Sequence, residues 1–319
     1  MTGQPVVRWG FIGAGFVASR ALAPAVHDAT GAVLQVVASR QVERAGVLHP
    51  VRAVDRYEEV CTAPDVDVVY VSLPNNDHLP WVMAALETGK HVLCEKPLGL
   101  SAPEVSDMAE AAHRADRLLV EACWNLWHPR TRRAQELTAR SAGPCDVRAW
   151  FTFDGVPADN YRLDPRRGGG ALLDLGSYVV SAAQWALDGD LQVLSASQRL
   201  GDTGVDLTTT AVLAVGDSRA HVTASIDRPA SQGLEIRTPD LRIDLPDPSF
   251  TSWRSPSQLR VVEGGVSHLE SFEACDPYRL MVEAVSMRSL GGDAWVLPLT
   301  TTAAVTTTLD DIARVAGAA

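Results

Sequence analysis

The sequence lacks the features of a membrane or exported protein. No stretch of about 20 apolar residues, the length of a membrane-spanning helix, occurs anywhere. The longest uncharged tract, residues 294–309, contains six threonines. The N-terminus has no basic region ahead of an apolar segment, and Arg8 and Arg20 interrupt its apolar run. We therefore expect a soluble, cytoplasmic protein.

Positive charge is also scarce. Lys and Arg total 28 against 39 Asp and Glu, which gives a net charge of -11. A chain with this balance has no electrostatic footprint for a phosphate backbone or an anionic membrane. We expect neither nucleic acid nor a membrane as a partner.

Paired cysteines and metal-ligand spacings are absent. The five cysteines are odd in number, widely spaced and free of CxxC pairs, so they are expected to be reduced and mostly buried thiols. The eight histidines show no short spacing with acidic or cysteine ligands, and we predict no catalytic metal. The chain is 46% hydrophobic and 21% charged over 319 residues, which predicts a globular protein of two domains.

The first part of the chain, residues 1–125, alternates short β-branched runs with segments of helical period. This pattern is typical of an α/β domain with a doubly wound parallel sheet. Helices are predicted over residues 79–86 and 105–115. The predicted strands are nearly continuous in apolar residues, as strands buried on both faces are: Val6–Ile12, Leu34–Ala38, Val66–Ser72, His91–Cys94 and Leu118–Ala122.

The second part, residues 126–319, has a different pattern of apolar and polar residues. Alternating apolar and polar residues predict a mostly antiparallel sheet with strands at 147–153, 205–215, 220–226 and 234–236. Gly216-Asp217 predicts a hairpin turn. Helices are expected at 130–140, near the domain junction, and at 170–187, 278–289 and 303–315.

A glycine-rich turn follows the first predicted strand. Gly13, Gly15 and Ala18 form a GxGxxA pattern that also includes Phe16 and Val17. The first glycine permits a tight turn, the second lets the backbone approach a pyrophosphate, and the alanine allows close helix packing. The pattern predicts dinucleotide binding; a purely structural turn is the alternative.

The end of the second predicted strand bears on the choice of cofactor. It carries Ser39 and Arg40 where an NAD-binding domain has an acid for the ribose hydroxyl. These residues, with Arg44 nearby, can bind and neutralise a 2′-phosphate, so NADP(H) is favoured. The alternative is that Arg40 is simply solvated.

Four motifs together resemble the Gfo/Idh/MocA (glucose-fructose oxidoreductase and inositol dehydrogenase) family. They span both predicted domains: the glycine turn, Leu73-Pro74-Asn75-Asn76-Asp77-His78, Glu95-Lys96-Pro97, and the segment from Gly168 to Tyr178. The resemblance implies an N-terminal Rossmann domain and a C-terminal α/β domain with an open, mostly antiparallel sheet, with the active site between them. Tyrosine at position 178, where many members have histidine, is similar to the dihydrodiol dehydrogenase and sugar ketoreductase branches.

The resemblance also implies roles for individual residues. Lys96 would lie beside the nicotinamide and the reacting oxygen, and Tyr178 would be its catalytic partner. Asp174 is four residues before Tyr178, on the same predicted helix face, and would bind a substrate hydroxyl. The preceding glycines would let the backbone approach a ligand. Further cofactor contacts would come from Leu73, Pro74, Asn75, His78 and Glu95.

Other candidates could serve the substrate or the structure alone. Trp124, Asn125, Trp127 and His128 either line the pocket or pack in the core. Arg162, with Tyr161 and Arg167, either binds a polar substrate or lies in an exposed loop. For Asp174 and Tyr178 the structural alternative is a salt bridge and a half-buried ring.

These observations predict an NADP(H)-dependent oxidoreductase that transfers hydride between nicotinamide and a carbonyl or hydroxyl of a sugar, keto-sugar or related polyhydroxylated small molecule. Two alternatives remain: a non-catalytic NADP-binding sensor or regulator, and an NAD-dependent glycoside-cleaving enzyme. We also expect a homo-oligomer, a dimer or tetramer, built on an open sheet face that includes Val212, Ala214, Val222 and Ala224.

Overall fold

The computed structural model describes residues 5–318. The chain divides into two compact units, one of residues 5–99, 103–124 and 276–302, the other of residues 100–102, 125–275 and 303–318. The predicted division into 1–125 and 126–319 places its boundary next to the break after residue 124. It omits the return of residues 276–302 to the first unit.

The first unit contains a six-stranded, wholly parallel sheet in the order β3-β2-β1-β4-β5-β6. This is the doubly wound arrangement predicted from the sequence. The five predicted strands are present. The strand that was missed is β3, which has only three residues and no fully buried one, and therefore leaves no apolar run. The strands are β1 (Val7–Ile12), β2 (Ala32–Ala38), β3 (Arg52–Val54), β4 (Val68–Val71), β5 (His91–Cys94) and β6 (Leu119–Glu121).

Helices connect these strands. The first connection begins with a π-helical turn, Ala18–Leu22, which passes directly into α1. A 3₁₀ turn, Asn75–Asp77, precedes α4 in the same way. The helices are α1 (Ala23–Asp28), α2 (Val42–Gly46), α3 (Glu58–Thr62), α4 (His78–Glu87) and α5 (Ala102–Ala115).

The second unit contains an eight-stranded sheet in the order β14-β13-β12-β11-β7-β10-β9-β8. All neighbours are antiparallel except β7 and β10, which are parallel. The Rossmann sheet and this mostly antiparallel sheet confirm the predicted fold class. The strands are β7 (Asp146–Thr152), β8 (Gln192–Leu200), β9 (Asp206–Val215), β10 (Ser218–Ser225), β11 (Ser231–Arg237), β12 (Leu241–Leu245), β13 (Ser257–Glu263) and β14 (Val266–Phe272).

Two helices of this unit match predicted ones, α6 (Pro129–Ala139) and α7 (Ser177–Leu187). α7 packs on β7 and β10, and nearly all of its residues are buried. The predicted helix at 170–187 begins later than expected, with a π-helical turn over Leu172–Gly176 that leads into α7.

The sheet of the second unit has a polar open face. Cross-strand neighbours lie on the same face, and Ala211 pairs with Val222 within the core. Val212 pairs instead with His221, on the opposite face. The expectation that Val212 and Val222 share the open face is therefore wrong, because their register differs by one residue. The open face carries a groove of about 350 Å³ whose polar lining is Ser195, Ser197, Thr210, His221 and Thr223.

The chain returns to the first unit through α8 (Pro277–Ser289), which packs against α1 and β2. The buried indole Nε1 of Trp9 donates to the Ser286 hydroxyl at 3.1 Å. This packing is the physical reason why residues 276–302 belong to the first unit. The last helix, α9 (Leu299–Gly317), begins in that unit. No helix among residues 5–318 is both long and apolar enough to cross a membrane.

Candidate functional site

The glycine turn after β1 has the shape of a phosphate cradle. Gly13 has a φ of 102° and donates its N–H to the carbonyl oxygen of Ala38 at 3.0 Å. A Cβ at this position would collide with the carbonyl oxygen of Ser72. A Cβ on Gly15, by contrast, would meet no heavy atom within 4 Å. Gly13 is thus required by the protein's own packing, whereas Gly15 leaves open space for a close ligand.

The rest of the turn fits the same use. Ala18 is fully buried and begins the π-helical turn. Phe16 is 78% exposed, an unusual position for a large aromatic side chain. Val17 is half-buried. A dinucleotide pyrophosphate fits this arrangement, because free amide groups and open space occur together at a helix start.

The end of β2 lies beside this cradle. Ser39 is buried, and its hydroxyl accepts the N–H of Gln41 at 3.3 Å. Arg40 is exposed. The Arg44 guanidinium donates from α2 to the carbonyl oxygen of Ala14, within the glycine turn, at 3.4 Å. A cation from α2 therefore lies between the glycine turn and the end of β2, where a 2′-phosphate would bind.

The segment after β4 is braced by His78. Its Nδ1 lies 2.9 Å from the carbonyl oxygen of Pro97, and its Nε2 lies 3.0 Å from that of Leu73. Burial lowers the pKa of His78, although both carbonyl oxygens favour the charged ring. The side chain is completely buried. His78 therefore connects two loops, and its expected contact with a cofactor stays a prediction.

The remaining predicted residues of this segment lie close to His78 in the chain. Pro74 immediately precedes the 3₁₀ turn, and Leu73 is half-buried. The Asn75 side chain is buried at the start of the turn. This segment and the glycine turn both lie at the carboxyl edge of the sheet, because β4 pairs directly with β1.

The Glu95-Lys96-Pro97 segment leaves β5 at the same sheet edge. The Lys96–Pro97 peptide bond is cis. The Tyr70 hydroxyl donates to Oε1 of the buried Glu95 at 2.6 Å. Burial raises the pKa of Glu95, opposed by the Tyr70 hydrogen bond and the Lys96 charge. Lys96 itself is half-buried. It therefore extends from a segment in which the preceding residue, Glu95, is held by a hydrogen bond.

A second carboxylate holds the other side of this segment. Oε1 of Glu121 accepts the backbone N–H of Leu98 at 3.0 Å, and Oε2 accepts the Thr302 hydroxyl at 3.0 Å. Glu121 is 4% exposed. Sequence reasoning did not single it out. The sequence did contain a signal for Glu121: it is an acid at the carboxyl end of an apolar strand, and that strand lies next to the one that leads to Lys96.

In the second unit, Arg162 and Asp174 form an ion pair. Nε of Arg162 lies 2.6 Å from Oδ2 of Asp174, and Nη2 lies 3.4 Å from Oδ1. Asp174 is 5% exposed and lies in the π-helical turn before α7. Burial lowers the pKa of Arg162, but the Asp174 carboxylate outweighs it and raises the pKa. The two residues, both expected to bind substrate, are brought together.

Tyr178 lies in the first turn of α7 and is 9% exposed. Its ring packs edge-on against Phe151 with centroids 5.4 Å apart. Ionised Tyr178 raises the pKa of Arg162, and the guanidinium reciprocally favours the phenolate. Arg162, Asp174 and Tyr178 therefore form one electrostatic group.

The glycine run before this group serves packing rather than ligand approach, contrary to the sequence-based expectation. A Cβ on Gly169 would lie 2.5 Å from the carbonyl oxygen of Arg162. Gly170 has a φ of 113°, and its Cβ would collide with the Asp206 carboxylate. Oδ2 of Asp206 accepts the N–H of Leu172 at 2.8 Å. Asp206, which no sequence pattern revealed, thus caps the helical segment that carries Asp174 and Tyr178.

The aromatic segment after β6 is packed. Trp124 is 6% exposed and stacks on Tyr278 with centroids 4.6 Å apart. Asn125 and Trp127 are buried. Nδ1 of His128 accepts the N–H of Arg130 and caps α6. In the described structure these side chains are packed, and their role toward a substrate stays a prediction.

No group of three or more potential metal ligands occurs among residues 5–318.

All five cysteines are free, and four of them are buried. The prediction that most of the thiols are buried is therefore confirmed.

Comparisons with known proteins identify the family. The model for an oxidoreductase family with an NAD-binding Rossmann fold matches residues 7–122, and that for the GFO/IDH/MocA C-terminal domain matches residues 143–243. The chain is similar to a D-xylose 1-dehydrogenase (NADP(+)) of Haloferax volcanii, with 34% identity over 86% of this chain and 87% of the relative. It is also similar to a dTDP-3,4-didehydro-2,6-dideoxy-α-D-glucose 3-reductase of Saccharopolyspora spinosa, with 33% identity over 87% and 86%.

A solved structure is similar to the chain over nearly its whole length. A 3-ketoreductase from Actinomadura kijaniata, in complex with NADP and TDP-benzene, superposes with a TM-score of 0.90 and 26% identity, covering 97% of this chain and 98% of that one. The chain belongs to the Gfo/Idh/MocA family of oxidoreductases.

Proposed function

We propose that the protein is an NADP(H)-dependent oxidoreductase that interconverts a hydroxyl and a carbonyl group on a sugar, keto-sugar or related polyhydroxylated small molecule. The observation that carries the proposal is the placement of Lys96 and the open Gly15 cradle on the carboxyl edge of one parallel sheet. Ligands of doubly wound sheets bind at this edge. The relatives named for NADP and for sugar substrates support the same activity.

The cofactor would be held by three loops. Gly13, Gly15, Phe16 and Val17 would surround the pyrophosphate, and Ser39 and Arg40 would bind the 2′-phosphate. Arg44 supports this choice, because its guanidinium already reaches the glycine turn. The loops after β4 and β5 would complete the site through Leu73, Pro74, Asn75, Glu95 and Lys96, with His78 bracing them.

The proposed chemistry assigns one task to each residue. When bound, the nicotinamide supplies or accepts the hydride. In the reductive direction Tyr178 gives a proton to the substrate's carbonyl oxygen, while Lys96 stabilises negative charge on that oxygen. Tyrosine's reference pKa is about 10, and nearby cations favour the phenolate. Arg162 and Lys96 would both act in this sense.

Substrate recognition would depend mainly on Asp174 and Arg162. Asp174 would accept a hydrogen bond from a substrate hydroxyl while Arg162 holds its carboxylate in place. Trp124 and Asn125 would contribute to the walls of the site. Because Asp174 is already paired, a substrate hydroxyl would share this carboxylate with the Arg162 guanidinium.

Two further properties are part of the proposal. The protein would form a homo-oligomer through the open sheet face, where Ser197 and Thr210 hydroxyls lie 2.8 Å apart beside the groove. Light scattering that finds only a 34.2 kDa species at micromolar concentration would contradict it.

A cytoplasmic location is supported by the five free thiols.

The direct test follows nicotinamide absorbance while the protein is incubated with NADPH and a panel of keto-sugars. We expect NADPH-dependent turnover of at least one ketone, and weaker activity with NADH. Tight NADPH binding with no turnover of any substrate would favour the sensor or regulator. Glycoside cleavage with NAD and no net change in absorbance would favour the glycoside-cleaving alternative.

A further inference from the structure

We propose that Glu121 is a positioning residue: its carboxylate fixes the segment that carries Lys96 and keeps the Lys96 amine charged. The catalytic meaning of this inference rests on the proposed function. Its structural and electrostatic content concerns only residues of the first unit. It can therefore be tested separately from turnover.

The first support is the position of Glu121. It ends β6, which pairs with β5 so that Glu121 is the register partner of Cys94. Lys96 follows Cys94 by two residues. Oε1 of Glu121 receives the backbone N–H of Leu98 at 3.0 Å, just beyond Lys96 and Pro97. A side chain from the neighbouring strand thus holds the chain on the far side of the lysine.

The second support is that the carboxylate accepts hydrogen bonds from several donors. The Thr302 hydroxyl donates to Oε2 at 3.0 Å, and the Cys123 thiol provides another hydrogen bond. An ionised carboxylate only accepts hydrogen bonds, so a backbone amide, a hydroxyl and a thiol match the charged form. Because Glu121 is 4% exposed, water contributes little to this arrangement.

The third support is charge. Burial raises the pKa of Glu121, whereas its donors and the Lys96 ammonium lower it. The interaction is reciprocal, so an ionised Glu121 favours the charged form of Lys96. The other titratable groups facing this region are Glu95 and Cys123. Burial raises the pKa of both groups, and the Lys96 charge opposes the rise.

The other ionisable groups near Lys96 differ from Glu121 in their position or their charge. Glu95 precedes Lys96 in the chain and is bound by the Tyr70 hydroxyl. The pKa of the buried Cys94 thiol is raised well above its usual range, mainly by burial, so this thiol stays neutral. Glu121 reaches the segment from β6 instead, and it links Leu98, on the far side of Lys96, to Thr302.

Two substitutions separate charge from anchoring. Glu121→Gln keeps the side-chain length: its amide oxygen can accept from Leu98, and its NH₂ can donate to the Thr302 hydroxyl, so chiefly the charge is removed. Glu121→Asp keeps the charge and shortens the reach. Glu110→Gln removes an exposed glutamate of α5 and is the control.

The chain makes a direct measurement possible because it contains only two lysines, Lys90 and Lys96. Protein labelled with [ε-¹³C]lysine should give two NMR signals, assigned with the Lys96→Met variant. We expect the titration midpoint of Lys96 to move to lower pH in Glu121→Gln, and to stay near that of the unmodified protein in Glu121→Asp and Glu110→Gln. The Lys90 signal is the internal reference and should not move.

Activity provides the second readout. In Glu121→Gln, kcat should fall about ten- to a hundredfold, with the alkaline limb of its pH profile moved to lower pH and NADPH affinity retained. If Glu121→Gln does not fold, Thr302→Val replaces it. Loss of that donor disfavours the ionised carboxylate, so the acidic limb should move to higher pH.

The outcomes are distinct. A lower Lys96 midpoint in Glu121→Gln supports the inference even if no substrate is turned over, in which case the proposed function fails by itself. An unchanged Lys96 midpoint, with kcat equal to that of the unmodified protein, overturns the inference and leaves the proposed function standing. If Thr302→Val is the variant used, an unmoved acidic limb overturns it.

Discussion

Arg162 and Asp174 are joined by a 2.6 Å contact between Nε and Oδ2, one helical turn before Tyr178. Asp174 is nearly inaccessible, with 6% of its side chain exposed, whereas Arg162 keeps 29%. The pair holds a carboxylate in place beside the helix start that carries the tyrosine. This is a preorganised arrangement, since the charge and orientation of Asp174 are set before any substrate binds.

Asp174→Asn should weaken both stability and substrate binding. The asparagine keeps the shape but leaves the Arg162 guanidinium without its counter-charge, and we expect a loss of about 1–3 kcal/mol in the free energy of unfolding. KM should rise more than kcat falls. Asp311→Asn breaks an exposed pair with Arg314 and should change stability by less than about 1 kcal/mol. Equal effects of the two substitutions in denaturant unfolding would contradict this account.

Arg40→Ala should change cofactor preference. A charge-assisted contact to a 2′-phosphate contributes about 1.5–3 kcal/mol, so NADPH affinity should fall at least about tenfold more than NADH affinity. Fluorescence titration with both cofactors measures the two losses. Arg56→Ala removes another exposed arginine of the same unit and serves as the control. If the unmodified protein binds NADPH and NADH equally well, the assignment of Ser39 and Arg40 fails.

Two glycines should respond oppositely to alanine. Gly15→Ala has open space around the new methyl group, so the protein should fold normally while NADPH affinity falls about tenfold or more through lost phosphate contacts. Gly170→Ala places a methyl group against Asp206 at a positive φ and should cost about 1–3 kcal/mol of stability. Thermal unfolding and NADPH titration should be measured on both variants. Loss of stability in Gly15→Ala would show that the cradle is not open.

His128 should make stability depend on pH. Burial, followed by the Arg130 charge, lowers the pKa of His128 to about 4, whereas an unfolded histidine has a pKa of about 6.5. Between these values the unfolded chain binds more protons, so stability should fall as pH falls through this window. His128→Asn keeps a helix-capping side chain and removes the titration.

The measurement is Tm between pH 7 and pH 4 for both proteins, with His113→Asn as the exposed control. The unmodified protein and the control should lose more Tm than His128→Asn. Parallel curves for all three proteins would refute this origin of the pH dependence.

Much of the first unit could be predicted because buried parallel strands leave continuous apolar runs. β5 and the Lys96 segment were located in this way. β3 and β14 left no such signal: β3 is short, and no residue of β14 is fully buried. In the second unit, alternation identified β7, β9, β10 and β11. It missed β8, which has no fully buried residue, and it also missed β12 and β13, although these two strands alternate buried and exposed residues and contribute to the core.

The site was predicted in part for the same reason. Lys96, Asp174 and Tyr178 belong to local motifs that can be recognised in the sequence. Glu121 and Asp206 act through contacts with Leu98 and Leu172, segments distant in the chain, and only the folded structure brings them together. The glycine run was misread because its close neighbours come from elsewhere in the fold.

The central claim is that Lys96 and Tyr178 act as one catalytic unit on a carbonyl substrate. The most direct test is a double-mutant cycle of Tyr178→Phe and Lys96→Met, with NADPH-dependent turnover of the best ketone followed by absorbance. Each single substitution should lower kcat by about 10² to 10⁴, and Tyr178→Phe should retain folding and NADPH binding. The double substitution should be scarcely worse than either one. Unchanged turnover in Tyr178→Phe, or losses that multiply in the double variant, would contradict the account.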